Sequence, residues 1–278
     1  MTNSKSKAVA KKKEPQMPAV MDDIYNTAGE GTQYDSSEMI IPFLRIAQGL
    51  SPQTKKLKPE YIEGLKEGDL FNTVTGEYWA GGDGVHVIPC YQVTKFLEFV
   101  PRDQGGGFKG ELAANNPDLQ NTTRVGPKEI LPNGNELSRS DQHYCIMIDK
   151  DEIPQMVIVD MKSTMLKVSR RWKTKIAMQK IRHPQTGVLI TPAVFATVWH
   201  LKSVAESNDQ GDWFNYSVEK VGLVEDREIF AMAKDFRNSI VKGEVKAQEE
   251  PQPGASGGQA NTSYVQDGTQ PADDEIPF

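Results

Sequence analysis

A run of basic residues between positions 162 and 183 could hold phosphate groups. The run carries eight Lys or Arg side chains and no Asp or Glu. Exposed helix faces usually mix the two signs of charge, so an unrelieved positive segment favours a nucleic-acid contact over a plain solvated surface. Contacts of this kind are made to the phosphates of the nucleic-acid backbone and do not distinguish one base sequence from another. The residues predicted to contact phosphates are Lys162, Lys167, Arg170, Arg171, Lys173 and Lys175.

Aromatic side chains could stack on bases if their ring faces are exposed on a sheet. Most aromatic residues of a small barrel belong to its core, so we expect only two or three of the candidates to touch a base. The sequence does not say which ones. A further Gly105–Lys109 stretch could close over a bound strand or be an ordinary flexible loop. The stacking candidates are Tyr91, Phe96, Phe99, Trp199, Trp213, Phe214 and Tyr216.

The last residues of the sequence combine acidic and apolar side chains. Residues 244–278 contain seven acidic residues and one lysine, a net charge of −6 that equals the formal charge of the whole chain. Their final part can enter a basic, apolar pocket on another protein, in the terminus-capture mode of peptide recognition. The acids also suit a phosphate mimic that competes with nucleic acid for the basic run. The predicted partner-binding residues are Asp273, Asp274, Glu275, Ile276, Pro277 and Phe278.

Catalytic motifs are scarce in this sequence, and we expect no enzyme and no cofactor. It has no Walker A loop, no HExxH helix and no nucleophile elbow. Asp160-Met-Lys162, with Asp149 and Asp151 upstream, is compatible with a metal-dependent nuclease but is more simply a strand that runs into a basic helix. Cys90 and Cys145 lie in apolar runs and are expected to be buried, neither paired nor bound to metal.

The elements that position these residues follow from apolar periodicity. A bent strand or two strands are predicted over Val85–Val100, a hairpin over 144–161, and a second hairpin over 194–224. A helix capped by Ser163 or Thr164 should run to about Ile181. Its apolar arc holds Met165, Val168, Trp172, Ile176 and Gln179, and its opposite arc holds Lys167, Arg170, Arg171, Thr174 and Lys175. Asp226 should cap a last helix over Arg227–Val241.

The order of these elements is three strands, a helix and two strands, which is the succession of an oligonucleotide-binding fold. We predict a mainly β protein with flanking helices, an elaborated five-stranded Greek-key barrel whose helix lies between strands 3 and 4. Residues 1–20 should be a disordered basic arm, residues 21–243 the barrel domain with a long loop at 102–141, and residues 244–278 a disordered acidic tail.

The tip Pro271-Ala-Asp-Asp-Glu-Ile-Pro-Phe278 resembles the C-terminal tip of bacterial single-stranded-DNA-binding proteins, and the pattern of the body resembles the larger single-stranded-DNA-binding proteins of tailed phages. The resemblance implies sequence-independent coating and protection of single-stranded DNA during phage replication and recombination. It also implies that the tip recruits replication and recombination proteins.

The sequence is also compatible with three other functions: a recombination protein that anneals complementary strands, an adaptor of the replication machinery, and the nuclease. No apolar run approaches the roughly 20 residues that span a bilayer. We therefore expect no membrane partner, a cytoplasmic protein (in the host cytoplasm if phage-encoded), and possible homo-oligomers.

Overall fold

The computed structural model describes residues 20–27, 30–31, 40–126, 128–149, 152–209 and 211–244. The predicted basic arm and the predicted acidic tail lie outside these residues, apart from Val20 and Glu244. The chain divides into two units, Met1–Met39 and Ile40–Phe278. The described part of the first unit contains one short helix, α1 (Met21–Asn26).

The second unit is built mainly from β-strands, which confirms the predicted class. The strands are β1 (Phe43–Ile46), β2 (Leu70–Asn72), β3 (Tyr78–Trp79), β4 (Val85–Val100), β5 (Gly107–Leu112), β6 (Thr123–Val125), β7 (Lys128–Ile130), β8 (Glu136–Ile148), β9 (Pro154–Lys162), β10 (Ile181–Arg182), β11 (Leu189–Ile190), β12 (Thr197–Asn208) and β13 (Gly211–Leu223). The helices of this unit are α2 (Leu166–Ala177) and α3 (Arg227–Val241).

Eleven strands form one sheet that curls into a half-barrel. Its main path is β13-β12-β4-β8-β9-β1-β2-β3, with β5, β6 and β7 attached beside β4 and β8. All pairings in it are antiparallel except that of β1 with β9. β12 returns after α2 to lie beside β4, so β12-β4-β8-β9 has Greek-key order.

The predicted strands and hairpins are confirmed. β4 runs unbroken over Val85–Val100, and its register with β8 shifts between Pro89 and Tyr91. Because proline has no N–H to donate to the ladder, the bulge lies where the pairing is weakest. β8 pairs with β9, and β12 pairs with β13, as the alternating apolar runs predicted.

The prediction of a long loop over 102–141 is corrected. β5, β6, β7 and the first part of β8 lie in this segment, and they extend the β4–β8 pair into an arm. Glycines and Asn-Pro or Asn-Gly steps suggested a loop, but here they form the turns between short strands. The buried Glu98 carboxylate anchors the arm, because it accepts hydrogen bonds from Asn133 and Asn135 and from Lys109 on β5.

Both faces of the central sheet are covered. On one face Leu44, Val87, Met147 and Val159 join a core cluster that also contains Trp172 of α2. On the other face Ile88, Ile146 and Ile158 pack with Phe236 of α3. Cys90 and Cys145 are buried in these cores, as predicted, and both are free thiols.

The two helices differ in how well their ends match the sequence. α3 has its predicted bounds, and Asp226 Oδ1 accepts hydrogen bonds from the N–H groups of Glu228 and Ile229, at 2.7 and 3.0 Å. α2 has no side-chain cap; a 3-10 turn at Ser163–Met165 precedes it, and it ends at Ala177 instead of Ile181. Ile181, the predicted last residue of the helix, instead pairs with Ile190 in the separate β10–β11 ribbon. None of the helices in the described ranges is long and apolar enough to cross a membrane.

Candidate nucleic-acid interface

Helix α2 lies with its apolar arc in the core, as its sequence predicted. Trp172 is 1% exposed, and Met165, Val168 and Ile176 pack around the same cluster. The Trp172 ring lies edge-on to Trp199 at 6.1 Å and stacks on His143 at 4.6 Å. This packing fixes the orientation of the helix and turns its other side outward.

Four of the six predicted phosphate contacts lie on that outward side, and we call them the basic helix face: Lys167, Arg170, Arg171 and Lys175. All four are exposed. Among the residues that the structure describes, none of the four forms an ion pair with an acid. Arg170 and Lys175 donate only to backbone carbonyl groups, of Leu166 at 3.4 Å and Val218 at 2.9 Å.

The other two predicted contacts, Lys162 and Lys173, lie in ion pairs. Lys162 Nζ is 3.0 Å from Asp160 Oδ2, and Lys173 Nζ is 2.8 Å from Asp141 Oδ2. Both acids are almost completely buried, with 6% and 5% of their side chains exposed. A buried carboxylate that loses its cation destabilises the folded protein. The first role of these lysines is therefore to neutralise the two buried acids.

Asp141 on β8 is the centre of a polar network beneath α2. Its carboxylate accepts hydrogen bonds from Lys173 and Ser169 of α2, at 2.8 and 2.5 Å, and from Thr94 of β4 at 2.7 Å. Burial by itself raises the pKa of Asp141, but the hydrogen bonds from Lys173, Ser169 and Thr94 outweigh it and leave the pKa below its ordinary value. The network therefore holds a charged carboxylate between helix and sheet.

His143 extends this network into the core. Its Nε2 lies 2.8 Å from the Ser169 hydroxyl, which has already donated its only hydrogen to Asp141. Nε2 must therefore carry the hydrogen and donate to Ser169. Burial lowers the pKa of His143 from 6.5 to about 3, so the ring is neutral. Ser169 and His143 are 0% and 1% exposed, which makes the chain of hydrogen bonds a structural connection and not an accessible nucleophile.

Two of the seven stacking candidates are core side chains, which corrects the prediction for them. Trp199 is 1% exposed, and its Nε1 donates to Thr197 Oγ1 at 2.9 Å. Tyr216 is 3% exposed, and its hydroxyl donates to the Leu44 carbonyl at 2.8 Å. Both polar atoms are satisfied inside the protein, so neither ring offers a face to a base.

Three more candidates are partly buried and engaged elsewhere. Tyr91 packs edge-on against Tyr144 at 6.3 Å. Phe214 borders the core and lies against Gly68, where an added Cβ would come within 2.6 Å of the ring. Trp213 donates from Nε1 to Glu206 at 3.2 Å. Trp213 and Phe214 are adjacent residues near the end of the β12–β13 hairpin.

Phe96 and Phe99 lie on opposite faces of the arm. Phe99 pairs with Phe108 across β5, with ring centroids 5.5 Å apart. Phe96 lies beneath the Arg139 guanidinium, whose carbon is 5.5 Å from the ring centroid. Arg139 precedes Asp141 by two residues on β8, so both point to the same face of the sheet, about 7 Å apart.

Phe96 and Arg139 therefore lie beside the point where α2 meets β8, while Phe99 and Phe108 do not. Arg139 is not among the residues predicted from the sequence. The alternation of side chains along β8 could have placed Arg139 on the same face as Asp141. Its contact with Phe96, however, depends on the β4–β8 register, which the sequence does not specify.

The two described acids of the possible nuclease, Asp149 and Asp160, do not lie in one site. Asp160 pairs with Gln142 in the β8–β9 register, whereas Asp149 follows the last paired residue at the other end of the hairpin. The separation along the strands is about 20 Å. The Asp160 carboxylate already accepts from Ser140 and pairs with Lys162. Asp151 lies outside the described residues, as do the partner-binding residues Asp273 to Phe278.

Comparison with known proteins identifies a family. The sequence model of a family described as Pam3 phage gp34-like protein matches residues 9–246. This range includes the whole described sheet, but it ends before the acidic tip. No curated protein and no solved structure matches the chain.

Proposed function

The chain belongs to the family of Pam3 phage gp34-like proteins, and we propose that this phage protein binds single-stranded DNA without sequence preference through the basic helix face. The observation that carries the proposal is that Lys167, Arg170, Arg171 and Lys175 are exposed side by side with no acidic partner among the described residues. A cation without a partner ion pair is available to neutralise a phosphate and release condensed counterions.

The proposal includes an elaborated oligonucleotide-binding barrel. The five longest strands are β4, β8, β9, β12 and β13, with α2 between the third and the fourth, which is the succession of that fold. The Greek-key order of β12-β4-β8-β9 supports it.

The half-barrel would close between β9 and β13, where β1 pairs with β9 and reaches across to β13 through side chains. Tyr216 of β13 donates to the Leu44 carbonyl of β1. The Gln48 side chain, which follows β1, bonds both the N–H and the C=O of Phe214, at 2.9 and 2.8 Å. The Gln48 contacts occupy the backbone N–H and C=O of Phe214, through which β13 would otherwise pair with a further strand, and they favour a barrel over an open sheet.

Base stacking would occur on the Phe96–Arg139 pair. The Arg139 guanidinium covers the Phe96 ring and also pairs with Glu129 at 3.2 Å, so its outer plane is the flat surface on which a base would stack. The pair lies on the same sheet face as Asp141, which holds α2. A strand whose phosphates follow α2 could therefore turn its bases towards β8.

The acidic tail would regulate the same surface and recruit other proteins. Its charge of −6 is opposite to that of the basic helix face, and a tethered segment competes at high effective concentration. DNA would displace the tail and free Asp273 to Phe278 for replication and recombination proteins. Deleting residues 244–278 is expected to strengthen DNA binding at low salt, and unchanged affinity would refute this regulation.

The test of DNA binding is a fluorescence titration of the full chain with oligo-dT and with duplex DNA over a salt series. Lys167→Ala/Arg171→Ala removes two charges from the basic helix face, and Lys234→Ala/Arg237→Ala removes two exposed charges from α3 as the matched control. Losing two phosphate contacts lowers the slope of log affinity against log salt by about 1.4 for a single strand.

Between 50 and 200 mM salt, wild-type affinity should therefore fall about sevenfold more than that of the α2 variant. The α3 variant should behave as wild type. Equal losses in the two variants would mean that only net charge matters, and equal affinity for single and double strands would refute the proposed function.

A further inference from the structure

The β10–β11 ribbon stands apart from the sheet and from its core. Ile181 pairs with Ile190 and Arg182 with Leu189, and neither strand pairs with any other described strand. A lone two-stranded ribbon is only marginally stable in water. Local hydrogen bonds shape this one: His183 N–H donates to Val188 O at 2.8 Å, and Gly187, with φ +68°, returns the chain.

One face of the ribbon presents two cations around an apolar side chain. Cross-strand partners share a face, so Arg182 and Leu189 lie together. Lys180 Nζ donates to Thr191 Oγ1 at 2.6 Å, which brings these two residues to the same side. All four are exposed, Leu189 to 57%. We call this set the ribbon face.

The cations of the ribbon face have no acidic partner within the described part of the chain. Arg182 donates to the Gly187 carbonyl at 2.6 Å, and Lys180 only to Thr191. The other projecting hairpin, β12–β13, has the opposite character, because acids such as Glu206 and Asp212 are exposed near its end. The positive charge is therefore specific to the β10–β11 ribbon, and the β12–β13 hairpin does not share it.

The ribbon face follows the basic helix face directly along the chain. α2 is about 18 Å long, and Lys180 follows its last residue, Ala177, by three positions. Six cations without an acidic partner thus succeed one another from Lys167 to Arg182 with no acid between them. A polyanion that follows α2 would meet the ribbon next.

We propose that the β10–β11 ribbon is a second phosphate-binding element, which lengthens the single-stranded-DNA site beyond α2; this inference rests on the proposed function. Lys180 and Arg182 neutralise backbone phosphates, and Leu189 packs against the sugar or base between them. Burying Leu189 and pairing the two cations would stabilise a ribbon that the rest of the protein leaves unsupported.

The test compares Lys180→Ala/Arg182→Ala with the α3 control Lys234→Ala/Arg237→Ala, in the full chain, on oligo-dT of increasing length. The ribbon variant should lower the salt slope by about 1.4. It should also shorten the oligonucleotide length beyond which affinity stops rising. Leu189→Ser should weaken binding several-fold without changing the salt slope, because it removes an apolar contact and no charge.

The outcomes separate the ribbon from the proposed function. If wild-type protein prefers single strands and only the α2 variant loses salt sensitivity, DNA binding stands and the ribbon is not part of the site. A ribbon variant that loses affinity with an unchanged salt slope also overturns the assignment of phosphate contacts. If wild-type protein shows no preference for single strands, the proposed function fails first. Unfolding midpoints equal to wild type verify that these exposed substitutions leave the fold intact.

Discussion

The neutral, buried His143 predicts a specific acid sensitivity of the fold. Its pKa lies near 3 in the folded protein because of burial, whereas the exposed imidazole of an unfolded chain has its ordinary value of 6.5. Below about pH 6.5, His143 therefore binds a proton in the unfolded state but remains neutral in the folded state. Stability rises with pH wherever the unfolded state binds more protons, so acid must destabilise the fold over this window.

The size of the effect follows from one proton. Each pH unit between the two pKa values is worth about 1.4 kcal/mol, so lowering the pH from 7.5 to 4.5 should remove about 2.5 kcal/mol. Asp141 does not disturb this window, because its lowered pKa affects stability only at more acidic pH. A loss of this size is a large fraction of the 5–15 kcal/mol typical of domains.

Urea unfolding at several pH values, on wild type and on His143→Gln, measures the effect. Glutamine can still donate to Ser169 but does not titrate, so the stability difference between the two proteins should shrink by about 2.5 kcal/mol as the pH falls to 4.5. His183→Gln, at the turn of the exposed ribbon, is the control and should follow wild type. A pH-independent difference between wild type and His143→Gln would refute the buried neutral ring.

Other substitutions test the packing that positions the site, all by urea unfolding. Trp172→Ala should cost about 3–5 kcal/mol, since it opens a cavity beneath α2, and a loss below 1 kcal/mol would contradict a buried ring. Asp226→Ala should cost about 1 kcal/mol through the lost α3 cap, and no loss would mean that the cap is unimportant. Gly68→Ala, at φ +89° and against Phe214, should cost about 2 kcal/mol more than Gly76→Ala, which meets no atom within 4 Å; equal costs would contradict the contact.

Local signals in the sequence predicted much of the fold. The Asp226 cap and the apolar period of α3 gave its bounds, and alternating apolar runs gave both long hairpins. The two arcs of α2 predicted which side of the helix is buried, because 3.6-residue periodicity needs no knowledge of the partner. These features depend on residues that are close in sequence.

Features that depend on distant residues could not be predicted in this way. The arm in 102–141 was taken for a loop because its strands are short and become strands only by pairing with β4 and β8. Lys173 has the same residue type as its exposed neighbours, and only Asp141, 32 positions away, distinguishes it. The ring of Phe96 acquires Arg139 through the same long-range register.

The cations of α2 fall into two groups, one that stabilises the fold and one that is free of ion pairs with the described acids. Effects on DNA binding can be separated from effects on stability only in the second group. Lys173 points to a buried carboxylate, so removing it leaves an unpaired charge inside the protein and costs stability whatever DNA does. Arg171, two residues before Lys173 on the same helix, is exposed and forms no ion pair with the described acids, so removing it costs little stability. Loss of DNA affinity on removing Lys173 would thus be ambiguous, because a loosened α2 would also misplace the basic helix face. Cations that form no ion pair with the described acids, such as those of the basic helix face and the ribbon face, are therefore the better probes of the proposed DNA binding.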